Sequence, residues 1–167
     1  MILIYNIIAL LLSPLLALWL LAHLIVVPDK RPVIARRLGF GLKLPHTPKA
    51  NTLWVHALSV GEITSAALLM KQLHQHKSAS TTIVFSTTTV SGYQLAERLI
   101  RPHCDALIYY PLDLLPVVKF FQAKIKPDLY IQIETDFWPN LLTSLASAGI
   151  PLLLFNGRLS NRSLQRY

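Results

Sequence analysis

The sequence predicts an α/β fold: a Rossmann-like, mostly parallel sheet with helices on both faces, preceded by one N-terminal transmembrane helix. Three observations predict it. The run Ile2 to Val27 contains no charged residue. Beyond Asn51, short apolar runs alternate with stretches of helical apolar spacing in the order βαβαβαβαβ, which builds a parallel sheet with right-handed crossovers. The distinctive polar residues fall just after the strands, where open α/β sheets hold their ligands.

The first element is the anchor, residues 2–27. As a helix rising about 1.5 Å per residue, its 26 uncharged positions reach roughly 39 Å, against a hydrocarbon core of about 30 Å. Pro14 beside Ser13 is a kink that membrane helices tolerate. A signal peptide would open on basic residues and have a shorter apolar core, whereas here no Lys or Arg precedes the run. Lys30, Arg31, Arg36 and Arg37 follow it, opposed only by Asp29, and the positive-inside bias then keeps the next domain in the cytoplasm. An in-plane helix is the other option, because Asn6, Trp19 and His23 interrupt the apolar surface. Residues 28–50, with Pro32, Gly39, Gly41, Pro45 and Pro48, read as a basic linker.

The domain proper is expected over 51–167. Thr52–Ala57 reads as a buried strand, and Glu62–His76 as a helix with Ile63, Ala66, Ala67, Met70 and Leu73 on one side. Thr81–Ser86 is the second strand, Tyr93–Leu99 the second helix and Ala106–Tyr110 the third strand. Asp113 is the expected N-cap of a helix that has Pro116 in its first turn and runs to about Lys124. Leu129–Ile133, a helix Leu141–Ala148 stopped at Gly149, and a strand Pro151–Phe155 complete the pattern.

Composition narrows the function classes. Apolar residues make up 53% of the 167 and the mean hydropathy is +0.45, much of it in the anchor. Sixteen Lys and Arg against eight Asp and Glu give a net charge of +8, which suits solvated faces and a juxtamembrane patch meeting anionic headgroups. No basic run interleaves with aromatics, so nucleic acid is not an expected partner. The single Cys104 excludes an internal disulfide and fits a reducing compartment. His74 and His76 lie two apart, so they diverge on a helix, and no metal-ligand spacing is present.

Five loops then converge on one rim: Ser59, Gly61 and Glu62; Thr88, Ser91 and Gly92; Pro111 and Asp113; Glu134, Asp136, Trp138 and Asn140; Asn156, Arg158, Ser160 and Arg162. Glu62 in an opening helical turn is either a partner for the helix dipole or a base beside a backbone that Gly61 leaves open. His56, within the strand, is a rival base but reads better as a hydrogen-bonded core histidine. Glu134 and Asp136 straddle one residue and face one side of an extended segment, as site carboxylates or as caps. Thr88, Ser91 and Gly92 belong to a Ser/Thr-rich turn that suits a phosphate or a helix cap. Arg158 and Arg162 suit anionic groups.

Taken in series, these motifs resemble the 3-deoxy-D-manno-octulosonic acid (Kdo) transferase family. The matching strings are Trp54-Val55-His56-Ala57-Leu58-Ser59-Val60-Gly61-Glu62; Ser86-Thr87-Thr88-Thr89-Val90-Ser91-Gly92; Pro111-Leu112-Asp113; Glu134-Thr135-Asp136-Phe137-Trp138-Pro139-Asn140; and Asn156-Gly157-Arg158-Leu159-Ser160-Asn161-Arg162-Ser163. The anchor and Arg37-Leu38-Gly39 resemble it too. Asp136-Phe137 stands where the family has Glu-Leu, and Gly157 where it has Ala.

The resemblance implies an inverting glycosyltransferase of the two-domain GT-B arrangement. Its donor is CMP-Kdo and its acceptor a lipid A precursor, at the cytoplasmic face of the bacterial inner membrane, without a cofactor or catalytic metal. It makes Glu62 the general base and Glu134 a transition-state stabiliser. Their place in the rim loops makes Ser59, Gly61, Thr88, Ser91, Gly92, Asn140, Asn156, Arg158, Ser160 and Arg162 substrate-binding candidates. The resemblance also implies that this chain is the N-terminal, acceptor-binding half, with the domain that contacts CMP-Kdo absent. As a whole product, 167 residues would then not turn over, being a truncated product or one part of a split enzyme. Two other functions compete. A nucleotide-dependent oxidoreductase needs a G-x-G-x-x-G turn, which Ser59-Val60-Gly61-Glu62 is not. A non-catalytic, membrane-tethered module that binds lipid headgroups is the alternative.

Overall fold

A computed structural model describes residues 2–26, 31–45, 50–134 and 137–157, and the side chains of 9–10, 16–17 and 19–26 also lie outside the description. Five parallel strands form one sheet in the order β3-β2-β1-β4-β5, the order of the Rossmann fold. They are β1 Asn51–His56, β2 Thr81–Thr87, β3 Ala106–Tyr109, β4 Leu129–Ile133 and β5 Leu152–Phe155. The register runs His56 beside Ser86 on one side and beside Gln132 on the other.

The strand pleat sorts the core into two layers. Val55, Ile83, Phe85, Ile131 and Ile133 pack with Ile63, Ala66 and Met70 of α3 (Val60–His76) and Ala96 of α4 (Val90–Leu99). Trp54, Val84, Ile108 and Tyr130 point the other way, to Val118 and Phe121 of α5 (Leu115–Ile125) and Leu141 and Leu145 of α6 (Pro139–Ser147). Consecutive residues thus serve opposite layers, and the central strands read as continuous apolar runs for that reason.

Local departures from expectation have local causes. The stretch read as a linker holds a short helix, α2, Arg31–Arg37, with Pro32 in its first turn, where a missing N–H costs nothing. It ends where Gly39 takes a φ of +100° and a Cβ would stand 2.5 Å from the Phe120 ring, so only glycine fits. Asp113 does not cap α5; Leu114 holds that N-cap position with no side-chain bond. Asp113 instead accepts from the N–H groups of Asn140 and Leu141 at 3.0 Å each, capping α6 from a distant loop. Likewise the cap of α4 is Thr89, whose hydroxyl accepts from Gly92 N at 3.0 Å, and Ser91 lies in the exposed first turn.

Helix α1 covers Ile2–Val26. Among the described residues no helix is long and apolar enough to cross a membrane: the backbone of α1 continues for 25 residues, but the described side chains along it stop at Leu18. The expected membrane span is therefore not established by the described structure. Near the start of α1, the Tyr5 hydroxyl donates to Asp113 Oδ2 at 3.1 Å, which brings the helix N-terminus to the carboxyl end of the sheet.

Candidate functional site

Crossing the carboxyl edge of the sheet in spatial order, the loops present Asp113 after β3, Thr88 to Gly92 after β2, Ser59 to Glu62 after β1, Glu134 after β4 and Asn156 after β5. The chain turns one way from β1 and the other way from β4, so the topological switch point lies between these two strands, where open α/β sheets bind ligands. Glu62 and Glu134 flank it.

Glu62 is held hard. Ser59 is the N-cap of α3, its Oγ accepting from Glu62 N at 3.3 Å. In return the Glu62 carboxylate accepts from Leu58 N–H at 2.6 Å through Oε2 and from the Ser59 hydroxyl at 3.2 Å through Oε1. Ser-x-x-Glu is the sequence signature of a capping box, a signal that the dipole argument alone overlooks, and here the glutamate reaches the N–H of Leu58, one residue before the N-cap. Glu62 as a residue is only 8% exposed, yet a Cβ on Gly61 would meet nothing nearer than Ser59 Oγ at 3.9 Å, so the space over the backbone beside it is open. A carboxylate has about four lone-pair sites; two donors fix its direction and leave acceptor capacity for a hydroxyl proton. Capping and base chemistry are therefore compatible in this one group.

The next loop braces the first. Thr87 Oγ1 donates to Leu58 O at 3.2 Å. A Cβ on Gly92 would stand 2.7 Å from Thr89 Oγ1 and 2.8 Å from Thr87 Oγ1, so that glycine serves close packing of α4 on β2. Thr88 is 7% exposed, and its hydroxyl has no partner among the described residues. Beneath this corner His56 is fully buried, 2.9 Å from Ser86 O through Nδ1 and tilted by 31° against Tyr110 with ring centroids 3.8 Å apart. Trp54 Nε1 donates to Ser86 Oγ at 2.9 Å. His56 is thus a bonded core histidine, as its place in the strand suggests.

On the other side of the switch point the hold is loose. Glu134 has a φ of +60° and Asn156 a φ of +56°, a left-handed conformation that costs a side-chain-bearing residue about 1–2 kcal/mol. Their strands are neighbours, Glu134 N donating to Phe155 O at 2.9 Å, and the Asn156 amide reaches Glu134 Oε1 at 3.4 Å. Strained backbone of this kind concentrates at functional sites. Asn140 is buried and ties α6 to Asp113, Nδ2 donating to Asp113 O at 2.7 Å; its Oδ1 has no partner among the described residues.

Arg158, Ser160 and Arg162, with Thr135 and Asp136, lie outside the described residues. Among the described residues no three His, Cys, Asp or Glu gather as a metal site. Burial pushes the Cys104 thiol up to about 11, which keeps it protonated at neutral pH and unreactive.

Comparison with known proteins assigns the family. The sequence model of the 3-deoxy-D-manno-octulosonic-acid transferase (kdotransferase) family matches residues 33–167. A 3-deoxy-D-manno-octulosonic acid transferase of Haemophilus influenzae is 37% identical over 145 residues, 84% of this chain and 32% of that protein. A probable mitochondrial 3-deoxy-D-manno-octulosonic acid transferase of Arabidopsis thaliana is 32% identical over 128 residues, 77% of this chain and 28% of its own length. One from Chlamydia pneumoniae is 32% identical over 129 residues, 77% and 29% of the two chains. This chain spans about a third of the length of the relatives it matches. It belongs to the Kdo transferase family.

Proposed function

From membership of that family we propose that the chain is the acceptor-binding portion of a glycosyltransferase moving Kdo from CMP-Kdo to a lipid A precursor in lipopolysaccharide biosynthesis. The observation that carries the reading is Glu62, a buried residue whose carboxylate is held by Leu58 N–H and Ser59 at the carboxyl end of β1, beside the open backbone of Gly61. In the complete enzyme Glu62 takes the proton of an acceptor hydroxyl. The oxygen so freed bonds to the anomeric carbon of Kdo from the face opposite the leaving group, and the bond to the CMP phosphate oxygen breaks with its electron pair on CMP. The configuration inverts, and base assistance of this kind is worth about 10² to 10⁴ in rate. Glu134 faces the positive charge that develops on the sugar, with Asn156 holding one of its oxygens. Ser59, Thr88 and Ser91 line the acceptor side, while Arg158, Ser160 and Arg162 suit the anionic groups of the substrates. No cofactor takes part.

Membrane attachment on the cytoplasmic face of the bacterial inner membrane belongs to this reading. Its support is α1, in which Leu3 and Leu11 are 69% and 72% exposed and the described side chains are apolar nearly all round, a pattern soluble helices lack. The bond from Tyr5 to Asp113 holds the start of that helix on the rim, which suits a helix lying in the membrane surface beside the acceptor loops rather than one crossing it. A second reading, a module that only binds anionic headgroups, rests on the same helix and its basic flank.

Binding of a fluorescent lipid A precursor to the whole chain in detergent separates the two. Saturable binding, displaced by unlabelled precursor and not by phosphatidylglycerol, is expected. Equal displacement by both lipids favours the headgroup module, and no saturable binding sinks the acceptor role.

A further inference from the structure

The turn after α2 places two cations around an aromatic floor. Tyr93 in the first turn of α4 and Tyr109 at the end of β3 stack with centroids 4.4 Å apart and planes 9° from parallel. The Arg36 guanidinium lies over both rings, 6.0 and 5.9 Å from their centroids. Gly39 and Gly41, with φ of +100° and +67°, turn the chain so that Phe40 and Lys43 border the same cleft. Its volume is about 190 Å³. That is less than the roughly 300–1,000 Å³ of a site for a drug-sized ligand, and it suits a headgroup rather than a whole substrate.

Three groups in this cleft are uncommitted. Among the described residues neither Arg36 nor Lys43 has an ion pair. Tyr109 is only 6% exposed, yet among the described residues its hydroxyl has no hydrogen-bond partner. Burial raises its pKa above the ordinary tyrosine value, so at neutral pH it is a donor. Glu97, a turn further along α4, acts on the Tyr93 hydroxyl, which also donates to Leu107 O at 3.3 Å. A guanidinium stacked on rings keeps its N–H edge for the oxygens of a phosphate, and the ammonium of Lys43 adds a second charge.

The cleft is also placed to meet lipid. Phe40, at the tip of the turn, is 70% exposed. Arg37 O accepts from Leu112 N at 3.1 Å, and Asp113, next in the chain, takes the Tyr5 hydroxyl of α1. The end of α2 and the start of the apolar helix thus meet at one place on the rim. An exposed phenyl ring beside cations is the composition of an interfacial contact, with the ring at the acyl boundary and the charges among headgroups. We infer that this cleft binds the phosphate of an anionic glycerophospholipid, held by Arg36, Lys43 and the Tyr109 hydroxyl, with Phe40 in the acyl layer. A free phosphate would use the same donors but not Phe40. The choice of lipid rests on the membrane attachment proposed for α1, and nothing in it rests on Glu62.

The intact chain in neutral detergent, with isotope-labelled tyrosine, is titrated with phosphatidylglycerol and separately with inorganic phosphate, and the Tyr93 and Tyr109 ring signals are followed by NMR. Both should shift saturably with phosphatidylglycerol, at a lower half-saturating concentration than with inorganic phosphate. R36Q should raise the phosphatidylglycerol value by about tenfold or more. F40S should raise it by less, without moving the value for inorganic phosphate. K71Q, which removes an exposed lysine of α3, should leave it where it was. Silent rings, or a loss in K71Q as large as in R36Q, overturn the inference. Equal half-saturation by inorganic phosphate assigns a free-phosphate site and overturns the lipid. Flotation on phosphatidylcholine vesicles tests the attachment separately. A chain that floats while its rings stay silent keeps the attachment and loses the headgroup site. One that does not float, but whose rings respond to phosphatidylglycerol, loses the attachment and keeps the site.

Discussion

The rim over β1 and β2 and the rim over β4 and β5 belong to one sheet but are built to different tolerances. On the first, every turn is tied: Glu62 accepts two hydrogen bonds, Thr87 holds Leu58, Thr89 caps α4 and Gly92 leaves no room for a methyl group. On the second, Glu134 and Asn156 are both left-handed, share one long contact and end strands of which one has no outer neighbour among the described residues. The difference teaches that the first rim is rigid because neighbouring loops brace one another across the strands, whereas the described residues of the second rim share one side-chain contact.

The sharpest way to probe the tight rim is E62Q. In an enzyme completed with the relatives' remaining polypeptide, kcat should fall by about 10² to 10⁴, while circular dichroism shows the fold retained. The amide cannot take a proton, but it still caps. Next in size is D113A, which strips α6 of two hydrogen bonds and leaves buried N–H groups behind; urea denaturation should register a loss of about 2–3 kcal/mol. G92A drives a methyl group to within 2.8 Å of two threonine hydroxyls and should cost about 1–3 kcal/mol by the same method. On the loose rim N156G keeps the left-handed turn and gives up only the 3.4 Å contact, so stability should change by less than about 1 kcal/mol. A cost for N156G equal to that of G92A would erase the contrast.

Much of this was legible in the sequence because the determinants are local. The short apolar runs predicted five strands and the order in which they connect, and the polar residues after them predicted the rim. What was not legible depends on partners distant in the chain. Asp113 stands next to α5, yet it caps α6, 27 residues on, because the loop after β3 crosses to the start of α6. Thr89 and not Ser91 caps α4 because the helix begins a turn earlier than its apolar spacing suggests. The exposure of β5 could not be read either, since its composition is that of an interior strand. Tyr5, 108 residues from Asp113, carried no sequence signal of its contact.

The measurement that tests the central claim most directly is Kdo transfer by the Haemophilus influenzae relative with its matched third replaced by this chain, supplied with labelled CMP-Kdo and lipid A precursor. The account predicts transfer of label to lipid by that hybrid and a loss of about 10² to 10⁴ in rate with E62Q. A folded hybrid that transfers equally well with glutamine at position 62 would contradict it.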